Sequence, residues 1–145
     1  MIETRNINES RNGFSKIFAK AASGDVVLCQ NDKRGDVEKV LFLSDNAAEE
    51  ILSHFTFKPE IVYNEEHKVY EGFINEIDVA TFYEDKEQLI EDLIDMCEMF
   101  VESYFENAAL SLKFQNHRKK YPYALRLKRC KDREEIRKVV FGGNM

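Results

Sequence analysis

The first 52 residues carry three hydrophobic periods in a fixed order, and that order limits the fold more than any other feature of the chain. Glu3–Ile7 reads as a short extended stretch. Phe14, Ile17, Phe18, Ala21 and Ala22 then recur at i, i+3, i+4, i+7 and i+8, which makes one apolar face of a helix. Asn8 is placed to cap that helix through its side-chain carbonyl, with Glu9 in the first turn where the helix dipole favours an acid. Ser23-Gly24 ends it, because glycine accepts the left-handed conformation that follows a helix. Val26–Cys29 and Val40–Leu43 are short apolar runs on either side of a polar turn, Asn31–Asp36, and so predict a hairpin. Ser44 and Asp45 are both suited to cap a second helix that runs to about His54.

Three fragments carry a family likeness. They are Asn8-Glu9-Ser10-Arg11-Asn12-Gly13-Phe14-Ser15, then Gly24-Asp25-Val26-Val27-Leu28, then Val40-Leu41-Phe42-Leu43-Ser44. In this order and spacing the segment resembles the N-terminal domain of the Phd/YefM (prevent-host-death) antitoxin family, over roughly the first third of the chain. The family usually has alanine before the arginine, where this chain has Ser10, and a basic residue where the first hairpin strand ends, where it has Gln30-Asn31. The resemblance implies a β-α-β-β-α domain that pairs into a homodimer. It also implies operator contact through the arginine at the helix start and a basic residue of the hairpin. Carried over by position, these are Arg11 and either Lys33 or Arg34. An arginine there can fork onto a phosphate or a guanine edge. The plainer alternatives are a surface ion pair of Arg11 with Glu9, and a merely soluble turn at Lys33 and Arg34.

At 145 residues the chain can bury one sizeable core or two small ones. No apolar run approaches the ~20 residues that span a bilayer, and the N-terminus lacks a signal-peptide pattern, so a cytoplasmic protein is expected. Cys29, Cys97 and Cys130 are odd in number and far apart, which favours reduced packing thiols over a disulfide frame or a zinc site. Charge is uneven. Residues 113–145 hold 11 Lys/Arg and 3 Asp/Glu, a net of +8, whereas residues 1–112 hold 10 and 24, a net of −14. Such a dipole suits an electrostatic partner, or a basic tail folded against the acidic helix of the same chain or of a dimer mate. Residues 1–56 carry 7 Lys/Arg and 9 Asp/Glu, so this part neutralises little phosphate unless dimerisation gathers its cations on one face.

The remainder reads as a second small α+β domain. His54–Glu66, with Pro59, is taken as a polar connector, which places the boundary near residue 56 and the domains at 1–56 and 57–145. Val69–Phe73 and Ile77–Phe82 look like strands joined by a bend at Asn75-Glu76. Asp85 and Gln88 suggest a capping box for a long helix to about Asn107. Leu89, Leu93, Met96, Phe100 and Tyr104 form one apolar line on it, and Ile90, Ile94, Cys97, Val101 and Phe105 the next. Glu91, Asp92, Asp95, Glu98, Glu102 and Glu106 cover the other side, read as a solvated face rather than a metal site. The strand-to-helix entry Thr81-Phe82-Tyr83-Glu84-Asp85-Lys86-Glu87 faintly resembles HicB-type antitoxins. Pro122 is expected to stop any helix before it. Ala124–Leu127 could be extended or helical, and Asp132 is a candidate cap for a closing helix with Ile136, Val139 and Val140 on its apolar side.

The chemistry is that of binding rather than catalysis. His54, His67 and His117 are isolated, and no phosphate loop, nucleophile elbow or Cys–His pattern occurs. No enzyme activity, cofactor or metal is expected. Arg118, Lys119, Lys120 and Tyr121 could hold a nucleic-acid backbone or another partner and stack a base, or form a solvated loop with half-buried rings. The fold class is α+β. With the resemblance, the reading is a type II antitoxin that represses its own operator as a dimer and neutralises a toxin protein. The second reading is a non-catalytic interaction or RNA-binding regulator that uses the N-terminal fold only to dimerise. In the family the region after the N-terminal domain is often a disordered tail. Here it is apolar and patterned, so it is expected to be folded.

Overall fold

The computed structural model describes residues 2–31 and 38–142. The chain forms two compact units, residues 1–54 and 55–145. Both mix helix and strand, which gives the α+β class.

In the first unit, β1 (Glu3–Asn6) leads into α1 (Ile7–Asn12) and α2 (Phe14–Ala22), then β2 (Val27–Asn31), β3 (Glu38–Phe42) and α3 (Asp45–Leu52). The sheet order is β1-β2-β3. β1 and β2 are parallel, which requires the helical crossover between them, and β2 and β3 form an antiparallel hairpin with Val27 opposite Phe42. The expected helix is two helices, and its cap lies two residues earlier than Asn8. Asn6 accepts from the Glu9 backbone N–H while the Glu9 carboxylate accepts from the Asn6 N–H, a complete capping box. Gly13 divides α1 from α2. A Cβ there would lie 2.9 Å from Arg5 Nη1 and 3.2 Å from the Glu9 carbonyl oxygen, so a side chain at this position would have to displace the Arg5 guanidinium and crowd that carbonyl. Gly24, at φ +100°, turns the chain from α2 towards β2 as expected. Ser44 caps α3 by accepting from Ala47 N–H.

The second unit begins with β4 (Glu60–Asn64), β5 (Val69–Ile74), a 3₁₀ turn (Asn75–Ile77) and β6 (Val79–Tyr83). It continues with α4 (Lys86–Glu106), α5 (Ala108–Ser111), α6 (Gln115–Arg118), α7 (Tyr121–Lys128) and α8 (Arg133–Phe141). The sheet is an antiparallel meander, β4-β5-β6. Two sequence readings change here and a third, left open, is decided. The segment taken as a connector contains β4, whose three apolar residues are too few to stand out but which pairs fully with β5. Ile77 and Asp78 belong to a turn rather than a strand, with Asp78 left-handed at φ +56°. Ala124–Leu127, left open between extended and helical, is helical: α6 ends at Arg118 before Pro122, as expected, and Pro122 also opens α7, because a first-turn residue needs no N–H partner.

The double stripe of α4 follows from its place in the middle of three layers. It packs against β5 and β6 on one side and against α7 and α8 on the other. Leu89, Ile90, Leu93, Ile94 and Cys97 are buried there with Ile74, Ile77, Leu127, Ile136 and Val140. Gly72 lets helix and sheet approach closely, since a Cβ on it would meet Leu93 Cδ1 at 2.8 Å. Arg126 Nη1 donates to the Phe55 carbonyl at 2.8 Å, and Phe55 and Phe57 meet the Tyr123 ring edge-on. These contacts hold the start of the unit to α7.

Candidate nucleic-acid and partner surfaces

The cations of the first unit divide into paired and unpaired. Glu3 takes Lys20 and Arg5 together, and these two neighbours, Lys20 foremost, hold its carboxyl below the usual range. Lys20 also lies 3.7 Å from Asp25. Arg11, in the last turn of α1, is exposed and makes no ion pair or hydrogen bond among the described residues. The ion pair with Glu9 is not formed, because Glu9 turns back onto the Asn6 N–H. Lys33 and Arg34 lie outside the described residues. Lys16 and Lys39, which sequence reasoning did not single out, are also exposed and without an ion pair among the described residues. Ser10, where the Phd/YefM pattern has alanine, has a local use. Its hydroxyl lies 2.9 Å from both the Asn6 carbonyl and Cys29 Sγ, tying α1 to β2.

The apolar face of α2 is only half used. Ile17 and Ala21 are buried, but Phe14 and Phe18 are 54% and 65% exposed. Phe14 meets the edge of Phe42, and Phe18, Ala21, Ala22, Phe42 and Leu43 line an apolar hollow of about 430 Å³. Val40, Leu41 and Ile51 are exposed as well. For so small a unit this is a large share of its apolar side chains left in water.

In the second unit the four residues read as a nucleic-acid or partner contact do not act together. Arg118 and Lys119 are exposed. Lys120 is committed to Asp78 at 2.6 Å, and its side chain is only 17% exposed. Tyr121 packs edge-on against Tyr104 and Phe105. Tyr104 in turn donates its hydroxyl to the His117 carbonyl at 2.6 Å. Much of the basic tail is consumed in the same way. Lys128 lies 4.7 Å from the Phe105 ring centre. Arg133 reaches Asp95, Glu91 and Glu98, and Arg137 reaches Glu87 at 2.6 Å and Glu91 at 2.9 Å. As α8 advances its partners recede along α4, so the two helices run antiparallel. Asp95 and Glu91 raise the Arg133 guanidinium further above its ordinary value. The acidic face of α4, read as solvated, is therefore in part an intramolecular clasp for α8.

Burial pushes the Cys97 thiol up to about 12 and the Cys130 thiol up to about 11, so both are protonated at neutral pH. All three cysteines are free thiols. Among the described residues no group of three or more His, Cys, Asp or Glu could hold a metal ion, and no helix is long and apolar enough to cross a membrane.

A family model described as "PHD_like: Antitoxin of toxin-antitoxin, RelE / RelB, TA system" matches residues 1–142. The chain belongs to this antitoxin family. The match runs through the second unit, so the kinship of this PHD_like antitoxin is not confined to the first third on which the sequence resemblance rests. Its fold is similar to the crystal structure of an antitoxin part of a proposed toxin/antitoxin system from Syntrophomonas wolfei subsp. wolfei. That match has a TM-score of 0.77 at 19% identity and covers 96% of each chain. At that identity the likeness is one of fold. Comparison with curated proteins finds no match.

Proposed function

We propose that this antitoxin binds operator DNA as a homodimer to repress its own expression, and that it neutralises a partner toxin without catalysis in the cytoplasm. The observation that carries the DNA reading is Arg11, an exposed arginine at the end of α1 without a partner among the described residues, in a unit where Arg5 and Lys20 are both tied to Glu3. Lys33 and Arg34 in the hairpin are proposed as the second contact. The dimer reading is supported by the exposed Phe14 and Phe18 beside their apolar hollow, which a second copy would cover. Because the unit itself carries 7 Lys/Arg and 9 Asp/Glu, a monomer has little general affinity for phosphate, and pairing two Arg11 side chains supplies what one lacks. The RNA reading at residues 118–121 is left with Arg118 and Lys119, since Lys120 and Tyr121 have structural partners.

The test is a mobility-shift titration of the full chain on a duplex from its own promoter. Wild type is expected to shift it in a salt-sensitive way. Arg11→Ala should weaken binding by about tenfold, as loss of a charged contact of ~1–3 kcal/mol requires. Phe18→Lys should yield monomers in sedimentation and lose the shift. Unchanged binding by Arg11→Ala would remove the DNA assignment of that residue.

A further inference from the structure

Antiparallel pairing puts directly opposed residues on one face of a sheet. In β4-β5-β6 the face that carries Ile61, Gly72 and Thr81 is the one covered by α4, because Leu89 and Leu93 close on Gly72. The opposite face carries Val62, Glu71 and Phe82 in one cross-strand row, with Glu60, Phe73 and Ala80 in the next. Phe82 is 68% exposed and Val62 52% exposed, on the two edge strands with Glu71 between them. An apolar sheet face of this kind marks an interaction surface.

Charge says what covers it. Residues 60–85 hold eight Asp/Glu against one Lys, a net of −7. Among the described residues only Asp78 of these eight is ion-paired, to Lys120. Glu71 accepts a neutral amide hydrogen bond from Asn64, and Glu76 accepts from the Lys58 backbone. Four acids of α4 differ, since Arg133 and Arg137 pair with Glu87, Glu91, Asp95 and Glu98 within the chain. Glu60 and Glu71, the two acids that the strand register puts on the outer face itself, carry no ion pair among the described residues, so their negative charge is left for a partner.

We propose that the outer face of β4-β5-β6 is the docking surface for a basic polypeptide partner. Its apolar side chains would lie on Val62 and Phe82, and a lysine or arginine would lie over Glu71. The proposal deepens the antitoxin reading, on which it rests for the identity of the partner as the toxin. Electrostatics of this type speed encounter and exclude acidic partners, while the apolar row supplies residence time.

The test uses the full chain and a peptide of about ten residues that alternates lysine and valine, followed by amide chemical shifts. Saturable shifts are expected along β4, β5 and β6. Val62→Ser with Phe82→Ser should weaken binding by about tenfold, and Glu71→Gln by about threefold, with unchanged thermal unfolding because these side chains are exposed or half-exposed. Raising salt from about 50 to about 500 mM should weaken it further. Shifts that centre on α4 or α8, equal binding of a glutamate–valine peptide, or a face occupied by a second copy in sedimentation would each overturn the proposal. A second arm uses the protein encoded beside this gene, co-purified with the chain. Retention by wild type and loss by the Val62→Ser, Phe82→Ser variant support the proposal, and equal retention by both overturns it. Peptide binding to this face without any retained neighbour would leave the surface standing and remove the toxin reading instead.

Discussion

Replacing Gly72 by alanine tests the packing of α4 on the sheet of the second unit. Two effects oppose each other. Alanine restricts the unfolded chain and on that ground stabilises by about 0.4–1 kcal/mol, and Gly72 has no left-handed backbone to forbid it. Against this, the new Cβ would lie 2.8 Å from Leu93 Cδ1 and 3.2 Å from Leu89 Cγ and Cδ2. Leu89 and Leu93 are fully buried, so neither can swing into solvent. An added methyl in a filled core costs about 1–3 kcal/mol, so the clash wins by about 1–2 kcal/mol. For a unit of this size that is a fall in Tm of roughly 5–15 °C, read by calorimetry or by denaturant unfolding with unchanged m. Leu93→Val removes the closest contact, and the double variant should be less destabilised than the sum of the singles by ~0.5 kcal/mol or more. Equal or greater stability of Gly72→Ala, or strict additivity in the cycle, would refute the account of this interface.

Other expectations follow from the same contacts. Arg133→Ala with Arg137→Ala should destabilise the second unit by about 1–2 kcal/mol at low salt and less at high salt, because the pairs are partly exposed and screened; urea titrations at two ionic strengths would show it. Tyr104→Phe should cost about 0.5–1.5 kcal/mol by removing the hydroxyl that reaches the His117 carbonyl, measured by the same unfolding. Burial holds Cys97 and Cys130 above the ordinary 9.0 of a free thiol, so the native state keeps protons that the unfolded state releases. Stability should therefore be independent of these thiols below about pH 9 and fall as pH rises from there towards 11 to 12, with alkylation of both slow until that window.

The sequence by itself was sufficient wherever a local period or cap decides the outcome. The double stripe on residues 89–105 predicted a helix with a wide apolar side, as for one packed on a sheet, and that helix is the central layer of the second unit. Asp132 and Ser44 begin helices because their side chains reach the third backbone N–H, a property of adjacent residues. Gly24 ends a helix for a reason equally local. Arg11 stood out for its position at a helix and for a family likeness, without information on its neighbours.

What only the tertiary structure decided depends on groups distant along the chain. β4 has too little apolar content to announce itself, and exists because β5 offers it a ladder of partners. The charge dipole left open whether the basic tail serves an outside partner or folds against the acidic helix of the same chain or of a dimer mate. Contacts across 35 to 50 residues of sequence join them into a clasp, and Lys120 and Tyr121 leave the nucleic-acid reading for the same reason. The exposed Phe14, Phe18 and Phe82 are the converse case. The period of α2 promises burial for Phe14 and Phe18, and the alternation of β6 puts Phe82 on the uncovered side of a half-covered strand, yet all three are more than half exposed in the folded chain.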